Sequence, residues 1–586
     1  LGRIGGAPGA KALEPLLAGA PPAVRPAVAE GCILCAEKFL AEGNHAGAAK
    51  LYDAVRNANV SKSKTVEATR GAILARRAEG VALLVEQLKS GDKAFFNIGL
   101  RTARELPGRE VTQALLAEME RATPERQSYF LLVLADRGDA EALGAAIKLA
   151  QNGPQPQRLT AIGVLDRLND PSAVPVLLSL AADRDEKLSQ AAKTTLTRLP
   201  GAGVDAAVLA LLKQGDETAR RVGCELATQR HLTGAIPDLL KAAEDSNPAI
   251  SVASLKALGE LGGAAEMPAL LDILARAKNT APVENALSAL GARLPRPATG
   301  NVLIQKAVYG DLPDGPSADV TAKVAELVKG STSVKASNAN LGDTAGGRVK
   351  KLRVDYTVDG APGSQTVAEN ETMTFPVSTV SPMFVDALGA ALAKAPARAK
   401  SALLRVLAAA GGAKALAAVR AAMSDPDGGL REAAFHALCQ WSTPEALGDL
   451  KELAKNGADQ KQQILATRGY IQLIGRADLP AQRKLESLQE AMTFIQRDDE
   501  RKLALGALGG IKSPQAIKLI VPHLDNPALK EEACAAAMSV AENFRRGVPP
   551  VVAEAMTKVA QTTSNPELAR QAKAVAARVE KRAKKK

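Results

Sequence analysis

The chain has 586 residues, 46% hydrophobic but only 3% aromatic, with one tryptophan and a formal charge of +12. Its apolar residues are mostly Ala, Leu and Val, so many small helical cores are expected rather than one large core. No run of about eighteen uncharged apolar residues occurs, which excludes a helical membrane span of ordinary length. Eight basic residues against one acidic between Arg570 and Lys586 hold most of the excess charge, and the nearly neutral remainder weighs against nucleic-acid binding by the body.

Taken in chain order, the opening "LGRIGG" resembles "LGELGG" at 258–263 and "LGALGG" at 505–510, which close helical patterns. Residues 1–6 are therefore expected to be the tail of a unit that starts upstream, and the chain a piece or processed form of something longer. Gly5, Gly6 and Gly9 follow no strand and read as an inter-helix turn, not a phosphate loop. Cys32 and Cys35 fall in "AEGCILCAEKFL", a helix interior, where one cysteine pair cannot complete a tetrahedral zinc site. With Cys224, Cys439 and Cys534 they form no even disulfide framework, and buried helical thiols are expected. The four histidines (45, 231, 436 and 523) are far apart, and none is followed by Glu.

The organising feature is a repeat. In "NPAISVASLKALGELGGAAEMPALLDIL" (247–274), Asn247 reads as an N-cap and Pro248 as the first helical residue. Ile250, Ala253, Ala257 and Leu261 then share a face, and Gly262-Gly263 are expected to end the helix in the left-handed conformation. A second helix puts Met267, Leu270, Leu271 and Leu274 inward. The equivalent first inward residues, Val174, Ala206, Ile236 and Met267, lie 32, 30 and 31 apart; Leu416 and Leu447 lie 31 apart, and Leu485 and Ile517 lie 32 apart. Cap-plus-proline pairs recur at Asp170-Pro171, Asp425-Pro426, Thr443-Pro444, Ser513-Pro514, Asn526-Pro527 and Asn565-Pro566. A lone helical pair cannot bury its apolar face, so copies must stack.

Between Gly300 and Pro376 the helical period stops. "KKLRVDYTVDG" alternates, with Leu352, Val354, Tyr356 and Val358 on one face and Lys351, Arg353, Asp355 and Thr357 on the other, ended by an Asp359-Gly360 turn. Residues 303–310, 331–337, 364–369 and 372–375 supply further strands, and 320–328 a short helix capped by Thr321. Lys350, Lys351 and Arg353 are the expected exposed partner contacts of this module. The acidic run at 498–500 reads as a helix start, where the macrodipole favours carboxylates.

"VPVLLSLAADRDEKLSQAAKTTLTRL" (174–199) and "IPDLLKAAEDSNPAISVASLKALGELGG" (236–263) resemble HEAT repeats of the short bacterial HEAT_2 kind, over roughly 60–300 and 380–580. "AEKFLAEGNHAGAAKLYDAV", within 21–56, resembles a tetratricopeptide helix pair, and the interruption resembles a β-rich module inserted in large bacterial HEAT proteins. The resemblance implies an all-α superhelix of the HEAT/armadillo solenoid class, broken by one small β-rich insert. The expected organisation is N-terminal helical pairs over 1–60, solenoid over 61–299, insert over 300–377, solenoid over 378–570 and a basic tail over 571–586.

The function this implies is a non-catalytic scaffold that binds proteins on the concave face of the solenoid, without a cofactor. The alternatives are a HEAT-like lyase or enzyme accessory subunit, or nucleic-acid binding through the basic tail. The missing His-Glu pairs weigh against the iron chemistry of deoxyhypusine hydroxylase-type HEAT proteins. The same resemblance implies a bacterial protein, cytoplasmic or exported.

Overall fold

A computed structural model describes residues 2–295, 302–358, 361–375, 380–544 and 548–583, which divide into two compact units, Leu1–Ser254 and Leu255–Lys586. In the first unit, helix Arg25–Ala41 packs on helix His45–Arg56, with Gly43 at φ +78° turning the chain and Asn44 accepting from the Gly47 N–H at 2.9 Å. Helical pairs then follow one another from Lys62 on. The pair at 171–198 shows the logic. Asp170 accepts from the Ser172 N–H at 2.8 Å, a 3₁₀ turn at Pro171–Ala173 leads in, and helix Val174–Ala181 carries Pro175 in its first turn. Asp185 then accepts from the Lys187 and Leu188 N–H groups to start helix Glu186–Arg198. Val174, Leu177 and Leu180 are buried on the first helix, and Leu188, Ala192 and Leu196 on the second.

Behind the repeat of about thirty residues lies a two-repeat alternation. Arg158 donates to the Ala150 carbonyl at 2.9 Å and to Asp183 at 2.8 Å; Arg220, 62 residues on, donates to the Leu212 carbonyl at 3.2 Å and to Asp245 at 2.7 Å. The repeats between use serine for the same bracket: Ser189 donates to the Ala181 carbonyl at 2.6 Å and Ser251 to the Ala243 carbonyl at 2.7 Å.

A second tie crosses from one repeat to the next. Arg137, ending helix Pro124–Arg137, donates to the Ala103 and Leu106 carbonyls at 2.6 Å each. Arg230, just past helix Glu217–Gln229, donates to the carbonyls of Leu196 and of Leu199 (2.7 Å). In the second unit Arg293 donates to the Gly259 carbonyl at 2.8 Å and the Gly262 carbonyl at 2.6 Å. Each arginine thus reaches 34 and 31 residues back, to carbonyls left open where the preceding second helix ends. This changes the expected role of Gly262 and Gly263. Neither has positive φ. A Cβ on Gly262 would stand 2.7 Å from the Leu258 carbonyl, so glycine is required there by close approach.

The second unit resumes its stacking after the insert. Helix Ala281–Arg293 packs against helix Ala397–Ala410, where Arg405 donates to both Glu284 oxygens at 2.9 and 2.7 Å. Arg398 donates to the Ala277 carbonyl at 3.1 Å, and Phe384, fully buried on helix Pro382–Lys394, lies against Gly291. Further pairs run to helix Pro566–Ala583. At Thr443 the hydroxyl caps no helix. It accepts from the Trp441 Nε1–H and the Gly412 N–H, each at 3.0 Å, pinning two loops 31 residues apart. At 425–428 the cap is Asp427, which accepts from the Gly429 N–H, while Asp425 holds the Asp427 N–H. Gly9 lies buried within helix Gly6–Leu13, so "GGAPGA" is a helix start rather than an inter-helix turn.

The insert contains β1 (Val302–Gly310), β2 (Ser317–Asp319), β3 (Ser333–Lys335), β4 (Lys351–Val358), β5 (Ala361–Ala368) and β6 (Thr372–Thr374). The first sheet is antiparallel in the order β2-β1-β4-β5, and β3 pairs with β6. Tyr309 faces Leu352 and Ala307 faces Val354, all on the buried side, over a core shared with Val324, Met373 and Phe375. β2, three exposed residues, has no apolar alternation to announce it. Thr321 is not a cap: its hydroxyl accepts from the Ala307 N–H at 2.9 Å, and Asp319 accepts from the Thr321 N–H. The Asp359-Gly360 turn lies outside the described residues, as do 584–586 and the side chains of the basic tail from 578 on.

Candidate binding surfaces

On the second helices of the first unit, charged residues pair from repeat to repeat. Arg70 Nε meets Glu105 at 2.9 Å, Asp136 takes Arg104 at 2.7 Å and Arg167 at 2.8 Å, and Lys193 meets Glu225 at 2.5 Å. Beside these pairs runs a row with one residue per repeat: Tyr129, Thr160, Gln190, Arg221 and Val252, at intervals of 31, 30, 31 and 31. Each is the fifth or sixth residue of its helix. Tyr129 is 43% exposed and Val252 47%, large exposure for such side chains. This row lies outside the buried positions that mark the repeat in the sequence; carrying the same phase to the outward positions finds it.

The insert offers a second surface. Lys351 and Arg353 project from the outward face of β4, Arg353 with Asp355 at 3.7 Å. Lys350 does not. It is 3% exposed, in phase with Leu352 and Val354, and its ammonium sits 3.0 Å from Asp343 and 3.6 Å from Glu369. The hydrogen bond that Lys350 donates to Asp343 holds the lysine pKa above its ordinary value. Burial, then the charge of Glu369, pushes the Tyr309 phenol beneath it up to about 12. Both groups hold their protons more tightly folded than unfolded, so their contribution is complete at neutral pH and fades as pH rises past about 10 toward 12. Near-ultraviolet circular dichroism of the tyrosines is therefore expected to show the insert melting at lower temperature at pH 11 than at pH 8. In Lys350→Met the melting temperature at pH 8 is expected to be reduced already.

The reactive residue types are dispersed. Cys32 and Cys35 lie fully buried in helix Arg25–Ala41, and burial, followed by the charge of Cys35, pushes the Cys32 thiol up to about 12. Burial also raises Cys439 to about 12 and Cys534 to about 11. Iodoacetamide at neutral pH is expected to leave the native thiols unmodified, with half-buried Cys439 the first to react on long exposure, and to label all five in guanidinium. His45 Nε2 lies 2.6 Å from Arg77, and His436 lies 3.7 Å from Glu432. Burial, with Arg501 nearby, lowers the His523 pKa. The acidic run does start a helix, Asp498–Gly509; within it Glu500 is buried and accepts from Arg468 at 2.8 Å. Among the described residues no three or more His, Cys, Asp or Glu side chains are grouped to hold a metal ion, and no helix is long and apolar enough to cross a membrane.

The family model for HEAT repeats (HEAT_2) matches residues 204–291 and 385–469. No curated protein matches the chain. Among solved structures the chain is similar to YibA of E. coli, at 14% identity and TM-score 0.23, over 42% of this chain and 96% of that one. It is similar to human deoxyhypusine hydroxylase in complex with glycerol at 15% identity and TM-score 0.20, over 43% and 97%. It is similar to Kap95p bound to RanGDP at 14% identity and TM-score 0.31, over 97% and 76%. Likeness at this level carries no argument about activity or partners. The two matched segments flank the insert, and the helical pairs around them follow the same plan: the chain carries HEAT repeats and is mostly helical, with a small antiparallel β insert.

Proposed function

We propose that this protein is a non-catalytic scaffold that binds other proteins on the outward face of its second helices, with the β insert as a second contact. A HEAT-repeat solenoid is a fold typically used for protein binding. The observation that carries the reading is the row Tyr129, Thr160, Gln190, Arg221 and Val252. Its backbone frame repeats while its side chains differ in size, polarity and charge, giving an extended surface with a distinct residue at each step. The neighbouring charges are mostly satisfied within the chain, so shape and apolar contact at Tyr129 and Val252 would supply affinity there. Crosslinking of the intact chain in its source cells, followed by mass spectrometry, tests this. One or a few proteins are expected to be recovered with the wild type and lost with Tyr129→Glu/Val252→Glu. Recovery of none, or of the same set with the double variant, would remove the proposal.

A further inference from the structure

We infer that the outward face of the β1–β4 sheet binds an acidic protein segment that also carries apolar residues; this rests on the scaffold reading and names the partner chemistry of its second contact. The register fixes which side chains share the face. Val308 stands opposite Arg353, Lys306 opposite Asp355, and Leu303 opposite Thr357. The opposite face is filled by Tyr309, Leu352, Val354 and Tyr356, so the chain's own core lies on that side. On the outward face Arg353 stands 3.7 Å from Asp355, Lys306 lies opposite Asp355 in register, Lys351 lies farther along β4, and Asp319 sits at the β2 edge near Lys306. Leu303, 56% exposed, and Val349, 76% exposed and two residues before Lys351, stand at opposite ends of this basic band. Exposed leucine and valine at both ends of a strand pair leave apolar surface in water, which a bound segment with its own apolar residues would cover. Three cations against two carboxylates leave this face net positive, and that sets the sign of the segment's charge.

The same cations would attract any polyanion, and two features favour protein. A phosphate backbone carries a charge at every step and cannot avoid Asp355, whereas a peptide can place a neutral residue or an N–H group beside it. The apolar corners match side chains, and the face has no exposed aromatic ring for a base to stack on.

Fluorescence anisotropy of the full chain with three labelled probes tests the inference: a peptide alternating glutamate and valine, its lysine-for-glutamate counterpart, and a single-stranded DNA of equal length. The glutamate peptide is expected to bind and the lysine peptide not. Lys351→Glu/Arg353→Glu is expected to weaken glutamate-peptide binding by at least about tenfold, and Leu303→Ser by about threefold, while circular dichroism of both variants matches the wild type. DNA bound as tightly as the glutamate peptide and weakened by the same charge reversal would make the face a general polyanion site and overturn the inference. So would a glutamate peptide that does not bind, or one that binds both variants as tightly as the wild type. The scaffold reading fails separately: the intact wild-type chain then captures no protein, whereas failure here alone leaves captured partners unchanged in Lys351→Glu/Arg353→Glu.

Discussion

Arg230→Ala is expected to destabilise the repeats it joins by about 2–4 kcal/mol. Its side chain is only 8% exposed, and it donates to the carbonyls of Leu196 and Leu199 while Asp205 holds it at 2.6 Å. Truncation leaves those carbonyls, where water enters poorly, without their donor, while the partly exposed Asp205 carboxylate can take water instead. Arg198 provides the control. It is nearer the end of its own helix, but its side chain is largely exposed and stands 3.6 Å from Asp166, so Arg198→Ala is expected to cost less than about 1 kcal/mol. A long repeat array does not unfold as one two-state unit, so the readout is native-state hydrogen exchange of helices Glu186–Arg198 and Glu217–Gln229. Equal effects of the two substitutions would mean that the buried arginine is no more than a surface charge.

Gly291→Ala is expected to cost about 3 kcal/mol or more. A Cβ at Gly291 would sit 2.4 Å from the ring of Phe384, which is fully buried where helix Ala281–Arg293 meets the first helix after the insert. A packed phenylalanine cannot yield that far without leaving its rotamer or pushing the helices apart. Gly163→Ala is expected to do the opposite. Gly163 lies inside helix Gln155–Leu168, and a Cβ there would meet nothing within 4 Å, so alanine gains about 0.5–1 kcal/mol of helix propensity. Chemical denaturation followed at 222 nm separates the two signs.

Much of the helical plan is legible in the sequence because it rests on local rules. Asp170-Pro171 and Asn565-Pro566 do start helical turns, and the inward Val174, Leu270 and Leu274 are buried. What escapes is what depends on the neighbouring repeat. Arg137, Arg230 and Arg293 read locally as basic residues at helix ends, and only stacking brings the preceding helix's carbonyls within reach. Arg158 and Arg220 read as unrelated charges until the alternation with Ser189 and Ser251 is seen in three dimensions. Lys350 is a different case. The alternation that turns Lys351 and Arg353 outward puts Lys350 in phase with the buried Leu352, but lysine is so seldom buried that the residue type overruled the phase. The buried position becomes tenable only through Asp343 and Glu369, which lie 7 and 19 residues away. The outward row from Tyr129 to Val252 left little trace because nothing in its composition repeats.

The central claim is that within each unit a helical pair finds its apolar partner in the next, and that the β insert leaves the stacking of the second unit intact. Arg405 and Glu284 report on it directly: they are 121 residues apart in the chain, on either side of the insert, yet form a two-pronged pair. Burial lifts the Glu284 pKa, but the hydrogen bonds from Arg405 and Thr280 outweigh it and leave the carboxyl below its ordinary value, so the pair's contribution is lost as pH falls below the usual glutamate range. A double-mutant cycle with the swapped pair, Arg405→Glu and Glu284→Arg, measures the coupling. Each single change is predicted to destabilise the second unit and the swap to recover about 1 kcal/mol of the combined loss at pH 7, with recovery shrinking at pH 4. Strictly additive effects at both pH values would contradict stacking across the insert.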